Sequence, residues 1–300
     1  MGFFNSNYSR PGPGVSKNEV KRKGLARFYQ IFLRKFWDLI KLNLLYIVTL
    51  IPTFAVVFVL SGMISNRLGI NADELLKLNG DSISLFTAAQ VSITTDLIIR
   101  YYISSLFAVL WGCGPVTAGF VYILRSFLWE NPVFLVSDYF AHIKSNIKQS
   151  IIVWIIDVIA FTVFCYAYFF YGSSPGLLHY GKYVILVIAF FYTMLHLYLY
   201  HLLVTYKLSI GKLYRNSALF ALSALPFSVL TVAVVAFAML IWPAIGFTSQ
   251  FDGVSVFFTT AAFVLMAALM FSACGLYIEN NAVEQIKKYI KEDADVERNE

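Results

Sequence analysis

Charged residues are scarce in this sequence. Asp, Glu, Lys and Arg together make up 13% of its 300 residues, against roughly 25% in an ordinary soluble domain. Hydrophobic residues make up 59%, and aromatic residues 17%. A water-soluble globule of this length could not cover so much apolar surface with so few polar groups. The composition therefore excludes a soluble domain and predicts an integral membrane protein whose main partner is the lipid bilayer.

Cysteine is also rare, and two common site motifs do not occur. The three cysteines, Cys113, Cys165 and Cys274, are odd in number and widely spaced, and no CxxC pair is present. This pattern argues against a disulfide framework and against a zinc site. The sequence has no HExxH motif and no phosphate-binding loop of the form GxxxxGK[ST]. We therefore predict a non-enzymatic protein with no catalytic residue, metal site or cofactor.

Six apolar runs are long enough to cross a bilayer as helices, which takes about 20 residues each. Backbone polar groups must be satisfied internally in hydrocarbon, so runs of this length favour helices. The sequence therefore predicts an all-α fold, a polytopic membrane helix bundle with about six transmembrane helices over residues 42–278. The runs cover roughly residues 42–64, 97–124, 150–171, 183–206, 218–243 and 254–278.

Lysine and arginine are distributed unevenly around these runs. Nine of the 23 precede the first run, and only Arg67, Lys77, Arg100 and Lys182 fall on the opposite side of the membrane. Cytoplasmic segments are enriched in Lys and Arg, so we predict that both termini are cytoplasmic. The net charge of +6 then follows from topology and indicates no nucleic-acid partner.

The segments outside the runs complete the predicted organisation. Residues 1–41 form a basic cytoplasmic segment that includes an amphipathic helix from Phe28 to Lys41. Residues 65–96 form an extracellular insertion, in which residues 71–81 are expected to be helical. Residues 279–300 form a charged cytoplasmic tail.

The cytoplasmic loop 125–149 carries apolar residues at helical spacing, with Asp138 and Lys144 on the other face. Such an amphipathic helix lies on a membrane surface or docks against a partner, which is either this chain or another one. The stripe consists of Val136, Tyr139, Phe140, Ile143 and Ile147.

Two ionisable residues are predicted inside the membrane, where each one needs a physical reason. Asp157 lies about 10 Å beyond Ser150, and His196 lies close to the bilayer midplane, at about 1.5 Å per residue. Tyr192 and Tyr200 share the face of His196, whereas His201 points about 140° away from it. Asp157 and His196 form either a proton-relay pair or a structural hydrogen bond, and the sequence leaves both interpretations open.

The stretch WGCGPVTAGF interrupts the second run. Gly112, Gly114 and Gly119 lack side chains, and Pro115 lacks the N–H that would bond to the carbonyl of Trp111. The run is therefore expected to bend. It is either a kinked helix that lets a neighbour approach closely or a break that binds an ion or substrate.

Six separated stretches of the sequence carry a resemblance to known proteins. In chain order they are MGFFN, RPGPGV, RKFWDLIKLNLLY, GPVTAGFVYILR, SDYFAHIKSNIKQS and LYRNSALFALSALP. Together they resemble the YesL-like family of bacterial integral membrane proteins. The resemblance implies a location in the bacterial cytoplasmic membrane and an association with carbohydrate import of the ATP-driven (ABC) type. It supplies no catalytic residues.

Three hypotheses for the function follow. The first is a non-enzymatic accessory factor that contacts carbohydrate ABC importer subunits through the loop 125–149. The second is a proton-coupled small-solute secondary transporter that uses Asp157 and His196. The third is a structural membrane subunit, for which a homo-oligomer is one form.

Overall fold

A computed structural model describes residues 23–68, 84–248 and 266–289, together with the single positions 77, 261 and 264. Throughout these residues the regular secondary structure is helical. The all-α class predicted from the apolar runs is therefore confirmed.

Ten α-helices are described, and we number them in chain order. The first five are α1 (Gly24–Arg34), α2 (Phe36–Leu60), α3 (Gly62–Leu68), α4 (Leu85–Leu110) and α5 (Pro115–Leu128). The others are α6 (Leu135–Ser173), α7 (Gly181–Thr205), α8 (Ile210–Ser223), α9 (Leu225–Thr248) and α10 (Phe271–Tyr289). A 3₁₀ segment, Gly176–Tyr180, links α6 to α7, and a π-helical segment, Met266–Met270, leads directly into α10.

Four helical stretches in the described part of the chain are long and apolar enough to cross a membrane: Phe36–Arg67, Ala88–Leu110, Leu135–Ser173 and Gly176–Thr205. Helices α8 and α9 are bent by 95° and make a fifth crossing if the pair is one span. Only 22–33% of the residues in the four apolar windows are buried, so most of their side chains are at least partly exposed. The sixth predicted run, 254–278, lies partly outside the described residues.

Helix α5 is the central element of the bundle. It packs against α2, α6, α7 and α10, and Ala118, Ile123 and Leu124 on it are fully buried. Its 14 residues extend about 21 Å, which is less than the hydrocarbon core of about 30 Å. Helix α5 is therefore too short to cross the hydrocarbon by itself, and it is enclosed by the other helices.

Helix α6 is longer than the sequence predicted. We expected a cytoplasmic amphipathic loop over 125–149 and a separate span over 150–171, but residues 135–173 form one helix of 39 residues. The reason is that no glycine or proline occurs between Leu135 and Tyr171, so nothing ends the helix where the charged residues end. The first four residues of the predicted loop belong to α5.

Helix α4 also extends beyond its predicted run. The sequence placed residues 65–96 in an extracellular insertion, whereas α3 reaches Leu68 and α4 begins at Leu85. Asp96 does not end the helix because its carboxylate pairs with Arg100 one turn later, at 2.8 Å. The predicted helix over 71–81 lies outside the described residues, apart from Lys77, which is helical.

The C-terminal segment is partly buried. We expected residues 279–300 to form a charged tail, but α10 continues to Tyr289 and packs against α1, α5, α7 and α9. Its polar side chains are hydrogen-bonded inside the bundle: Asn280 Nδ2 donates to the Gly24 carbonyl at 3.2 Å, and Asn281 Nδ2 donates to Thr231 Oγ1 at 2.9 Å. Buried polar groups are tolerated when they are paired in this way.

The N-terminal amphipathic segment is divided between two helices. The predicted helix Phe28–Lys41 is interrupted at Lys35, where α1 ends and α2 begins at the next residue. Ile31 is buried, and Phe28 and Phe32 pack against the core. Residues 1–22 of the predicted basic segment lie outside the described residues.

Candidate functional site

The chain leaves the helical conformation completely between α4 and α5. Trp111, Gly112, Cys113 and Gly114 form a buried connection, and Pro115 is the first residue of α5, which suits a residue without an N–H. The sequence predicted a bend in one continuous span over 97–124, so the structure differs in having two separate helices. Non-helical backbone is tolerated at membrane depth only where protein encloses it.

All four N–H groups of this connection have acceptors within the chain. Trp111 N and Gly112 N donate to the Phe107 carbonyl at 2.8 and 3.1 Å. Cys113 N donates to Thr117 Oγ1 at 2.7 Å, and Gly114 N donates to the Tyr200 hydroxyl at 3.0 Å. Because the donors are already occupied, this connection does not present them to an ion or a substrate in this conformation.

Three glycines of the stretch are required by space. Gly112 has φ +81°, and a Cβ there would lie 2.5 Å from Cε2 of Tyr200. Gly114 has φ +68° and faces Trp154 on α6. Gly119 lies on α5, where a Cβ would come within 2.7 Å of the Tyr139 carbonyl oxygen. The glycines therefore allow α6 and α7 to approach the break and α5 closely, as the packing interpretation required.

The structure brings Asp157 and His196 together. Asp157 on α6 is fully buried, and its Oδ1 lies 3.0 Å from His196 Nε2 on α7. The Tyr192 hydroxyl donates to the same oxygen at 2.7 Å, and the Tyr214 hydroxyl on α8 lies 3.5 Å away. Three groups from two other helices therefore converge at this carboxylate.

The contact between Asp157 and His196 is close but is not a well-formed hydrogen bond. Neither ring nitrogen of His196 has a hydrogen-bond partner of acceptable geometry, and Asp157 Oδ2 has none either. The 3.0 Å separation is therefore an electrostatic contact in which the N–H direction is poor. Three buried polar atoms without partners in one place call for an explanation, because burying such atoms is costly.

Aromatic rings enclose His196. The indole of Trp111 stacks on the imidazole with the ring centroids 5.8 Å apart and the planes inclined by 15°. Tyr192 and Tyr214 contact other sides of the ring, at centroid distances of 4.8 and 6.4 Å. The break between α4 and α5 thus supplies one wall of the site through Trp111.

A second buried pair was missed by the sequence analysis. His201 points away from His196, as its spacing predicted, and its Nδ1 contacts Glu279 Oε1 on α10. Both side chains are only 3% exposed. Thr205 links the pair to Arg125, since its hydroxyl donates to the His201 carbonyl at 2.7 Å and accepts from Arg125 Nη1 at 2.7 Å.

One sequence signal pointed to this second pair. Apolar residues continue at helical spacing beyond residue 278, at Ala282, Val283 and Ile286, all of which are buried. Such a pattern predicts that the helix continues into the bundle, which would place Glu279 inside it. The charged residues of the segment concealed this signal, since we interpreted them as the start of a tail.

A small cavity lies between the two pairs. Its volume is about 40 Å³. A single water molecule needs about 10–15 Å³ of such space, so the cavity has room for a few water molecules. Polar side chains from four helices line it: Tyr46 on α2, Thr117 on α5, Glu279 on α10, and His196, Tyr200 and His201 on α7. Tyr46 also bonds to Thr117 Oγ1 at 3.0 Å, which ties α2 to the beginning of α5.

The described residues contain no group of three or more His, Cys, Asp or Glu side chains placed to hold a metal ion. The string GSSPG at residues 172–176 has the letters of the GxSxG nucleophile motif but not its strand–turn–helix context. Ser174 there ends α6, and its hydroxyl donates to the Phe170 carbonyl at 2.8 Å. This serine is therefore part of a helix end.

Comparison with family models gives no match for this chain, and neither a curated protein nor a solved structure matches it.

Proposed function

We propose that this chain is a multi-pass protein of the bacterial cytoplasmic membrane, with six spans and both termini in the cytoplasm. We further propose that it is a non-enzymatic accessory factor that contacts subunits of a carbohydrate ABC importer. The asymmetry of lysine and arginine supports the topology. The family resemblance of the sequence supports the class of partner.

The observation that carries the accessory role is the apolar surface at the start of α6. A helix of 39 residues extends about 58 Å, almost twice the hydrocarbon thickness of about 30 Å. Under the proposed topology, its first third projects on the cytoplasmic side. Tyr139 packs inside the chain, but Phe134, Val136 and Phe140 are 79%, 57% and 47% exposed. Apolar side chains exposed outside the hydrocarbon favour a protein partner.

The closed interior also supports an accessory role. The cavity between the histidines holds about 40 Å³, whereas sites for small organic ligands usually measure about 300–1,000 Å³. A sugar does not fit there in this conformation.

Site-specific photocrosslinking in the native host tests the proposed contact. A photoreactive residue at position 140 should crosslink to the membrane subunit of a carbohydrate importer, identified by mass spectrometry. The same residue at exposed position 145, on the opposite side of α6, should give much less of that product. Failure to recover an importer subunit from position 140, or equal yields from both positions, would contradict the proposal. A crosslink to a second copy of this chain would instead support a homo-oligomeric structural subunit.

One observation favours a second candidate, a proton-coupled small-solute transporter. Asp157 Oδ2 and the ring nitrogens of His196 are buried without partners, as expected of a site that exchanges protons. In this candidate the cavity between α2, α5, α7 and α10 would enlarge in another conformation.

Replacement of Asp157 discriminates the second candidate from the first. In proteoliposomes with an imposed proton gradient, a transporter should take up labelled glucose or maltose, and Asp157→Asn should reduce the rate at least about tenfold, since general acid–base groups typically contribute 10²–10⁴-fold. Asp96→Asn, which alters an acid on α4 far along the chain from the site, is the control. Equal uptake by Asp157→Asn and the wild type would remove this candidate, and the absence of wild-type uptake for both sugars would exclude glucose and maltose as its solutes.

A further inference from the structure

The two histidine–carboxylate pairs face one cavity although they lie on different sides of α7. His196 and His201 both line it, together with Glu279 from α10. Asp157 stands behind His196, in contact with its Nε2. Water in the cavity would therefore be in reach of both pairs.

The side chains of Asp157, His196, His201 and Glu279, taken together with Arg125, carry a net negative charge when both histidines are neutral. In their ionised forms, Asp157 and Glu279 contribute two negative charges. The partly buried Arg125 contributes one positive charge and lies close enough to Glu279 to interact with it. The sum is −1. An uncompensated charge in a low-dielectric interior is costly, and one added proton makes the cluster neutral.

We propose that Asp157, His196, His201 and Glu279 form a single proton-binding cluster that holds one exchangeable proton, shared between the two pairs through water in the cavity. Only bonds to the proton break and form. The proton leaves a water molecule or an imidazole nitrogen at one pair and binds to an imidazole nitrogen or a carboxylate oxygen at the other pair.

The chemistry of the groups fits a proton better than a metal ion. Imidazole and carboxylate are the side chains that exchange protons near neutral pH when they are placed side by side. Among the described residues no three metal-ligating side chains come together. The Tyr200 hydroxyl accepts from Gly114 N, which leaves its own proton available for a water in the cavity.

Other titratable and charged groups lie near the cluster: Tyr46 on α2, Cys113 in the break, Arg125 on α5, Tyr192 and Tyr200 on α7, and Tyr214 on α8. Arg27 and Glu284 lie at the α1–α10 contact, where Glu284 accepts from Gly24 N. The tyrosines and Cys113 are neutral at neutral pH in their ordinary state. Arg27 donates to the Leu128 carbonyl at 2.8 Å.

This inference goes beyond the accessory role and does not depend on it. A proton-binding cluster could regulate an accessory protein or couple a transporter. The crosslinking experiment above and the titration below therefore succeed or fail separately.

Infrared difference spectroscopy on the purified protein in detergent tests the cluster. A step from about pH 8 to about pH 5, the range in which histidine titrates, should show uptake of one buried proton. If the two pairs are coupled, Glu279→Gln should change the pH midpoint of the infrared signal from the Asp157–His196 pair. We expect a change of more than about one pH unit, which is typical of interacting sites. Glu130→Gln, which alters an exposed acid on the α5–α6 loop, should leave that midpoint unchanged.

Independent behaviour of the two pairs would overturn the proposal, as would the absence of any buried titration in this range. If Glu279→Gln does not fold, Asp157→Asn tests the same coupling through the signal of the Glu279–His201 pair. The titration is repeated with sodium in place of choline. A midpoint that depends on sodium would show a monovalent-cation site and would also overturn the proposal.

Discussion

Single glycines decide whether the centre of this bundle can form. At Gly112 two requirements coincide: the backbone has a positive φ of +81°, and Tyr200 occupies the space in which a Cβ would lie. The ring of Tyr200 cannot withdraw freely, since its hydroxyl holds Gly114 N and its residue is 4% exposed. A side chain at position 112 would therefore disturb the break and the wall of the His196 site together.

We expect Gly112→Ala to destabilise the protein by at least about 2 kcal/mol, because strain at a positive φ costs roughly 1–3 kcal/mol and the clash adds to it. Thermal unfolding in detergent measures this loss. Two other alanine variants separate the effect of backbone strain from the effect of the clash with Tyr200. Gly176 has φ +64° but open space, so Gly176→Ala should show strain alone. Gly211 in α8 has neither constraint, so Gly211→Ala should stay within about 1 kcal/mol of the wild type. Equal stability of Gly112→Ala and Gly211→Ala would contradict the argument.

The individual polar residues show how far sequence analysis reached. Asp157 and His196 were identified because each is an ionisable residue within an apolar run, and their predicted depths along two helices were similar. Glu279 was not identified because it follows a predicted span and precedes charged residues. A buried acid at the edge of a polar segment cannot be distinguished from a solvated one unless the helix that carries it is known to continue inward.

At the scale of the helices, apolar runs predicted where helices exist but not where they end. Helices α4, α6 and α10 all extend past their predicted boundaries, in each case into residues that include charges. The charges are accommodated locally, as Asp96 is by Arg100 and as Asp138 is by the Phe134 N–H at the start of α6. A hydropathy boundary marks where side chains become polar, and it does not mark where the backbone stops being helical.

The fifth predicted run shows the opposite case, in which a single apolar run contains two helices. The predicted span 218–243 includes Pro226, and the chain bends by 95° between α8 and α9. Proline at this position cannot bond back to the Leu222 carbonyl. Ser228 stabilises the bend from the far side: it lies 2.9 Å from the Tyr198 hydroxyl and donates to the Ala221 carbonyl at 3.3 Å. The proline was visible in the sequence, but the serine partner that holds the angle was not.

Across the whole molecule, the break, the bend and the short α5 have a common effect. Each places helix ends or irregular backbone inside the bundle, where polar side chains from other helices must satisfy them. Asn43 is an example, because its Oδ1 accepts from Ser272 N at 2.9 Å, just after the π-helical segment. These contacts join residues far apart in the chain, so no local pattern could have predicted them. The fold class, in contrast, required only composition and periodicity.

The topology of the whole molecule gives the last prediction. If the lysine-rich N-terminal segment is cytoplasmic, the α6–α7 connection is outside and the start of α8 is inside. Leu177 is 86% exposed in that connection, and Lys212 is exposed near the start of α8. The three native cysteines are buried, so the wild type should react little with a maleimide. In intact cells, a membrane-impermeant maleimide should label Leu177→Cys but not Lys212→Cys, and it should label both after the cells are permeabilised.

The opposite labelling pattern in intact cells would show that the orientation is the reverse of the one proposed. Labelling of both variants in intact cells would exclude a span between these positions. Helix α7 lies between these two positions, and its 25 residues are enough to cross the hydrocarbon at about 1.5 Å per residue. A transmembrane α7 therefore requires that the two positions have opposite accessibility.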